Sequence, residues 1–206
     1  MEKFIVKSNR CLTKTVQGFY SVDYVGFGND GNPDYINVLK NDFLSNSIFK
    51  LTQAQKELQK VLLEDLPKVF QEVGDDVTVC VVPRSKKLTS YYHTQLLFLK
   101  TIQETLVEFF QNVEDGTEFI TRVEDTKTTH FKNKPEYAGE GKMPYCGIAL
   151  DTCEFSDHIK GKNVLLIDDI YTKTVNIDED MIQALLDKGA KNVAFYAVAN
   201  TVYKGI

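Results

Sequence analysis

Hydrophobic residues recur with two different periods along the chain. Between residues 52 and 73 they recur every three or four positions, which predicts a helix with one apolar face. Thr52 is its expected N-cap, and Pro67 is expected to kink or interrupt its last turns. From residue 77 onward, continuous apolar runs alternate with helical spacing. We expect strands at 77–83, 118–123, 146–150, 163–168 and 192–199, and helices at 92–111 and 177–189.

This alternation predicts β-α-β crossovers and therefore an α/β fold. Because the expected strands are apolar throughout, they fit a mainly parallel central sheet with helices on both faces. The segment 132–144 is rich in Lys, Gly, Pro and Glu, and we expect it to form a mobile or functional loop such as a flap.

The first 50 residues follow another pattern. Short β-prone runs between residues 19 and 39 surround a turn at 26–33, whose Asn-Asp-Gly sequence is typical of a hairpin. The glycines of this turn formally match the dinucleotide-binding fingerprint, but Pro33 is expected to prevent the helix that the fingerprint requires. We expect residues 1–50 to form a small β-rich hood or interface element and residues 51–206 to form the α/β domain.

Composition narrows the range of partners. The chain has 206 residues, of which 43% are hydrophobic, and this is enough for one substantial domain. Its 24 basic and 29 acidic residues give a net charge of -5, which does not favour nonspecific binding to nucleic acid or to anionic membranes. The sequence shows no secretory signal and no apolar run of about 20 residues, so we expect a soluble, cytoplasmic protein.

The four cysteines do not form a metal-binding pattern. Cys11, Cys80, Cys146 and Cys153 include no C-x-x-C pair. We expect four reduced thiols and no zinc site.

The strongest chemical signal lies in residues 164–176. An apolar strand is followed by Asp168 and Asp169, by a hydroxyl-rich turn and by a helix. Backbone N–H groups of such a turn, together with the start of the next helix, suit a phosphate monoester. The two carboxylates suit sugar hydroxyls or a hydrated Mg²⁺. The residues expected to bind the phosphate are Thr172, Lys173, Thr174, Val175 and Asn176.

The same residues also allow a structural interpretation. The two acids would then only end a strand, and Asn176 would cap the following helix. An apolar strand ending in two acids also fits a Walker B motif, but the sequence contains no phosphate-binding loop to accompany it.

A basic cluster follows the strand expected at 77–83. Arg84, Ser85 and Lys86 lie where the carboxyl ends of parallel strands form a ligand crevice, and their groups suit pyrophosphate. The alternative is an ordinary solvated strand end.

Residues 164–176 resemble the phosphoribosyl pyrophosphate signature of type I phosphoribosyltransferases, which has four apolar residues, two acids and a Thr/Gly-rich loop. Residues 189–199 resemble the next helix end and strand of that family, and residues 80–87 resemble its pyrophosphate-contacting loop. Residues 120–131 are similar to the Arg-x-x-x-Thr segment of the competence protein ComF branch, which is close to the amidophosphoribosyltransferases. The resemblance covers residues 77–200.

The resemblance implies transfer of 5-phosphoribosyl from phosphoribosyl pyrophosphate to an unidentified nucleophile, with Mg²⁺ present and pyrophosphate released. Asp168 and Asp169 would bind the ribose hydroxyls and the metal. Residues 172–176 would bind the 5-phosphate, and residues 84–86 would receive pyrophosphate. The resemblance and the aromatic content also suggest a homodimer.

The sequence departs from the family pattern at two positions of the turn. Thr174 stands where the family usually has Gly, and Asn176 stands where it usually has Thr. These departures favour the alternative, a noncatalytic nucleotide-sensing or DNA-processing module of ComF type that retains the crevice. A nucleic-acid partner therefore stays open despite the net charge.

Overall fold

The computed structural model describes residues 1–26, 29–74, 76–128 and 140–202. Most of the expected 132–144 loop thus lies outside the described residues. The strands are β1 (Glu2–Val6), β2 (Val16–Tyr24), β3 (Thr78–Val81), β4 (Glu114–Asp115), β5 (Ile120–Arg122), β6 (Cys153–Phe155), β7 (Asn163–Tyr171) and β8 (Asn192–Thr201). The α-helices are α1 (Asp34–Lys40), α2 (Ile48–Val73), α3 (Leu97–Phe109), α4 (Ile148–Thr152) and α5 (Ile177–Asp187).

Six of these strands form one sheet in the order β1-β2-β8-β7-β3-β4. β1 runs antiparallel to β2, and the other neighbouring pairs of this sheet are parallel. The prediction of an α/β fold with a mainly parallel central sheet is therefore confirmed. Among the described residues, no helix combines the length and apolar character needed to cross a membrane.

The central strand β7 separates two hydrophobic clusters. Val164 and Leu166 pack with residues of α5, whereas Leu165 and Ile167 pack with residues of α1, α2 and α3. Because successive side chains of a strand point to opposite faces, this alternation places helices on both faces of the sheet. A strand buried in this way must be apolar throughout, as the sequence is up to Ile167.

The first 50 residues contribute to the main sheet. β2 pairs in parallel with β8 from Gly18 to Tyr24, and β1 extends the edge beside it. The chain after β2 does not form the expected hairpin, because α1 begins at Asp34, directly after Pro33. Proline restricts the residue before it and leaves the following residue free to be helical. The separate role of residues 1–50 as a hood or interface stays a prediction.

Two further expectations about elements are wrong. The long helix begins at Ile48 with Ser47 as its N-cap, not at Thr52. The helix continues through Pro67, so the proline does not interrupt it, and a kink there stays a prediction. Residues 118–123 do not join the main sheet, because β5 pairs with β6 in a separate antiparallel sheet, and β4 pairs with β3 instead.

The expected strand at 146–150 is a short helix. Gly147 has a φ of 103°, which turns the chain into α4 at Ile148. The Asp180 carboxylate accepts hydrogen bonds from the backbone N–H groups of Gly147 and Ala149. A partner 31 residues away in sequence thus stabilises the helix start, and local sequence gives no sign of it.

Two of the four cysteines form a disulfide. Cys11 and Cys146 are bonded although they are separated by 135 residues, whereas Cys80 and Cys153 are free and buried. The prediction of four reduced thiols is therefore wrong for Cys11 and Cys146. Only the folded chain brings these two residues together, so their spacing carried no signal.

Candidate functional site

The two acids lie inside the last part of β7 and not in the turn after it. β7 continues to Tyr171, and Asp168 is paired with Ala197 of β8. The other neighbour, β3, ends at Val81, which is opposite Ile167. Asp168 and Asp169 therefore extend just beyond the carboxyl end of β3, at the edge where parallel sheets form ligand crevices.

The two carboxylates point to opposite faces of the sheet. Asp169 Oδ2 lies 3.1 Å from Nζ of Lys40, in the last turn of α1. Burial lowers the pKa of Lys40, but the attraction of Asp169, Asp168 and Asp42 outweighs it and raises that pKa overall. Lys40 is therefore a cation held at the site.

Asp168 faces α5 and lies against Asp178. Asp178 is 4% exposed and forms a side-chain hydrogen bond with Asp168. Burial and the neighbouring Asp169 raise the pKa of Asp168 to about 7. Burial and the Asp168 charge raise the pKa of Asp178 well above its ordinary value. The raised pKa of Asp178 favours its protonated form, which is the form that donates to the Asp168 carboxylate.

The turn at 172–176 connects β7 to α5. The N–H of Val175 donates to the Thr172 carbonyl at 2.9 Å, and the Thr172 and Thr201 hydroxyls lie 2.8 Å apart. Lys173 and Thr174 are exposed to solvent. The turn therefore has an internal hydrogen bond and an open outer surface.

Asn176 occupies the N-cap position of α5 in a left-handed conformation, with a φ of 60°. Its side chain makes no capping hydrogen bond, so the alternative interpretation, in which Asn176 only caps the helix, is not supported. Instead, its Oδ1 accepts a hydrogen bond from Nδ2 of Asn9 at 2.9 Å. A non-glycine residue in this conformation carries backbone strain, and its contacts must hold it there.

The first turn of α5 already contains carboxyl groups. Asp178, Glu179 and Asp180 are all buried. Glu179 accepts a hydrogen bond from the Tyr171 hydroxyl at 2.8 Å, and burial raises the pKa of Glu179. These groups lie at the helix start, where the helix dipole attracts anions. Their ionised forms repel a phosphate and their protonated forms do not, so their protonation affects how well a phosphate binds.

Arg84 is held by protein groups at the same edge. Its Nη1 donates to the carbonyl oxygens of Lys40 at 2.8 Å and Gln95 at 2.7 Å. Its other terminal nitrogen forms an ion pair with Asp42, and the guanidinium lies 4.5 Å from the centre of the Tyr91 ring. Arg84 therefore fixes the end of α1 that carries Lys40.

The other two members of the basic cluster lie beside Arg84. The Ser85 hydroxyl is 2.8 Å from the Thr128 hydroxyl. The backbone N–H of Lys86 donates to the Tyr91 hydroxyl at 3.1 Å. Within the described part of the chain, the Lys86 ammonium has no partner and is available to a ligand.

The two residues expected to bind magnesium have different surroundings in the structure. Asp168 and Asp169 lie on opposite faces, and Lys40 already neutralises Asp169. No group of three or more His, Cys, Asp or Glu side chains suited to a metal occurs among the described residues. We therefore consider Mg²⁺ at this site as an ion that is bound to a polyphosphate substrate.

Sequence reasoning missed Lys40 and Asp178. The acidic run 178–180, directly after the turn, was a usable signal for Asp178. Lys40 had no such signal, because it reaches Asp169 from a helix more than a hundred residues earlier in the chain.

A cavity of about 380 Å³ opens at the other edge of the sheet, where β3 and β7 begin. Its polar groups pair with each other, since Lys162 Nζ lies 2.9 Å from Glu114 Oε2 and Thr78 donates to the same carboxylate. This cavity is not part of the candidate site.

Comparison with protein-family models finds no match, and comparison with curated proteins finds no significant similarity. The interpretation of the site therefore depends on its own residues and on their geometry.

Proposed function

We propose that the chain binds phosphoribosyl pyrophosphate at the carboxyl end of β7 and transfers its 5-phosphoribosyl group to a nucleophile. The observation that carries the proposal is the position of Asp168 and Asp169 on a central parallel strand, directly before an open turn and a helix. This combination offers acceptors for sugar hydroxyls beside donors for a phosphate.

Asp168 and Asp169 bind the ribose in this proposal. Because the two side chains leave β7 on opposite faces, the ribose lies across the edge of β7 that is open beyond the end of β3, where each carboxylate accepts a hydrogen bond from one hydroxyl. Such charge-assisted bonds are stronger than neutral ones. Asp178 and Lys40 act as positioning residues, because each of them contacts one of the two carboxylates.

The turn binds the 5-phosphate through its backbone N–H groups and through the exposed side chains of Lys173 and Thr174. Lys86 receives the pyrophosphate, and Arg84 orders the loop and the end of α1 next to it. Arg84 belongs to the basic cluster but is not assigned to pyrophosphate, because its guanidinium already contacts two carbonyl groups and a carboxylate.

The reaction needs no protein nucleophile. The bond from the ribose anomeric carbon to pyrophosphate breaks with both electrons going to pyrophosphate, and the acceptor then donates an electron pair to the same carbon. The positive charge that develops on the ribosyl centre is stabilised by nearby carboxylates, while the lysines stabilise the leaving group. Binding in the correct orientation supplies much of the remaining rate enhancement.

A noncatalytic nucleotide-sensing or DNA-processing module is the second candidate. It is favoured by the ion pair of Asp169 with Lys40 and by the contacts that hold Arg84, since both reduce the charge available for chemistry. In this case the crevice binds a nucleotide or sugar phosphate without turnover.

Calorimetric titration tests the binding step. Phosphoribosyl pyrophosphate with Mg²⁺ is titrated into the wild type, into the double variant Asp168→Asn/Asp169→Asn, and into Asp157→Asn as a control at an exposed carboxylate. We expect the double variant to lose about a hundredfold or more in affinity and the control to match the wild type. Equal affinity in all three proteins, or no binding to any, would refute the proposed site.

Pyrophosphate release then separates the two candidates. The wild type is incubated with the substrate, Mg²⁺ and a panel of amine and base acceptors. Release that depends on one acceptor supports transfer. Tight binding without release from any acceptor supports the noncatalytic module.

A further inference from the structure

The Cys11–Cys146 disulfide joins two segments that both contact α5. One segment is the connection between β1 and β2, and the other leads into α4. We propose that this bond is a reversible redox clip that fixes the geometry of the turn at 172–176 and opens on reaction with a dithiol.

Asn9 connects the first segment to the turn. Its Oδ1 accepts hydrogen bonds from the N–H groups of Cys11 at 2.7 Å and Leu12 at 3.1 Å. Its Nδ2 donates to Oδ1 of Asn176 at 2.9 Å. The side-chain amide of Asn9 thus links the backbone of Cys11 to Asn176, which has a left-handed conformation at the start of α5.

The two segments hold α5 at further points. Oε1 of Gln183 accepts hydrogen bonds from the N–H and the hydroxyl of Thr13, at 2.8 and 2.9 Å. The segment of Cys146 reaches the same helix through Gly147 and Ala149, whose N–H groups donate to Asp180. The disulfide closes this ring of contacts, so opening it allows the segments to separate.

The bond is accessible to a reductant. Cys146 is exposed, and a cavity of about 300 Å³ beside the bond is lined by both cysteines and by Arg10. The other two cysteines are buried, and burial raises the pKa of Cys80 to about 12. Cys11 and Cys146 are therefore the reactive pair.

The reaction is thiol–disulfide exchange with a dithiol. A thiolate of the dithiol attacks one sulfur of the clip, which releases the other cysteine as a thiolate that takes up a proton. The second thiol of the reductant then attacks the mixed disulfide and releases the remaining cysteine. The dithiol is oxidised to its disulfide, and two electrons reduce the clip to two thiols.

Hydrogen–deuterium exchange tests the clip itself. The protein is first oxidised with a cyclic disulfide reagent, and half of it is then reduced with dithiothreitol. Loss of a hydrogen bond such as Asn9–Asn176 raises the equilibrium constant for local opening of the segment by about fivefold. We therefore expect exchange in residues 9–13 and 172–180 to rise by about fivefold on reduction, with no comparable change in β7 or β8.

Two variants serve as controls. The double variant Cys11→Ser/Cys146→Ser should behave like the reduced protein and should not respond to dithiothreitol. Cys80→Ala retains the clip and should respond as the wild type does. Four free thiols after oxidation, or unchanged exchange at 172–180 on reduction, would overturn the proposal.

The effect on ligand affinity rests on the proposed function. We expect reduction to weaken binding of phosphoribosyl pyrophosphate with Mg²⁺ by about fivefold, and Asn9→Ala to do the same while keeping the disulfide. Equal affinity in both redox states contradicts the clip. If neither state binds the ligand, the proposed function fails, and the exchange experiment still decides whether the clip controls the turn.

Discussion

At the residue scale, the site is dominated by two carboxyl groups whose pKa values are both raised, those of Asp168 and Asp178. Asp168 follows the apolar run Val164–Ile167 of β7, and Asp178 faces it from α5 with one oxygen that has no partner among the described residues. Asp178 is buried and Asp168 is partly buried, and like charges this close repel each other, which raises the pKa of both carboxyl groups. The net charge of the site therefore changes with pH.

The raised pKa values of Asp168 and Asp178 make stability depend on pH. The pKa of Asp168 is raised in the folded protein from 3.8 to about 7, so the folded state binds more protons than the unfolded state between these values. The stability that Asp168 contributes is therefore lost as the pH rises from about 4 to about 7. The pKa of Asp178 is also raised well above its ordinary value, so its contribution is lost in the same direction. The Asp178→Asn variant imitates the protonated form, because its amide donates to Asp168 at every pH.

We expect Asp178→Asn to be more stable than the wild type at pH 8, with the difference shrinking towards pH 4. Urea denaturation across this range measures the free energy of unfolding of both proteins. Asp157→Asn, at an exposed position, should show no such pH-dependent difference. If the difference between Asp178→Asn and the wild type were the same at every pH, the raised pKa values of Asp168 and Asp178 would be contradicted.

Arg84 provides a second prediction at this scale. Its guanidinium contacts two carbonyl groups and the Asp42 carboxylate, a geometry that a lysine ammonium does not reproduce. We expect Arg84→Lys to lower the free energy of unfolding by about 2–3 kcal/mol, as for the loss of charge-assisted hydrogen bonds. Lys86→Ala should change stability by about 0.5 kcal/mol or less. Equal stability of both variants would mean that the Arg84 contacts have no structural role.

At the element scale, tertiary contacts override local signals in both helices and strands. Helix α2 has fully buried Leu58, Leu62, Leu66 and Val69 on one face, and it continues through Pro67 because this face is packed against the sheet. Proline within a helix removes one backbone hydrogen bond and crowds the preceding turn. The burial of the apolar face compensates for that loss.

Replacement of Pro67 therefore tests how much the proline destabilises α2. Pro67 is exposed, so Pro67→Ala restores a backbone donor without disturbing the buried face. We expect the free energy of unfolding to rise by about 1–3 kcal/mol, measured by urea denaturation. Lys68→Ala, at the next exposed position, is the control and should change stability much less. A destabilised Pro67→Ala would show that the helix is shaped around the proline.

At the scale of the whole molecule, the disulfide connects the first strand region to the segment before α4. Because it closes a loop of 135 residues, its loss increases the conformational freedom of the unfolded chain considerably. We expect Cys11→Ser/Cys146→Ser to unfold with a free energy about 2–5 kcal/mol lower than that of the oxidised wild type. Thermal unfolding with and without dithiothreitol measures this difference. The reductant should destabilise the wild type and leave the double variant unchanged.

The sequence alone determined the α/β class, the mainly parallel sheet, β7, the turn after it and α5, which ends before Gly189. These features follow from local periodicity and from strands that must be apolar because both of their faces are buried. The sequence also placed Asp168 and Asp169 at the carboxyl edge of the sheet, since strand direction fixes which end of β7 they occupy.

Only the tertiary structure decided the partners of these residues. Lys40 reaches Asp169, Asp178 reaches Asp168, and Cys11 reaches Cys146 from distant parts of the chain. The same holds for α4, whose start is held by Asp180, and for β2, which joins the main sheet beside β8. Such pairings are set by how elements pack in space, and hydrophobic spacing along the chain contains no information about them.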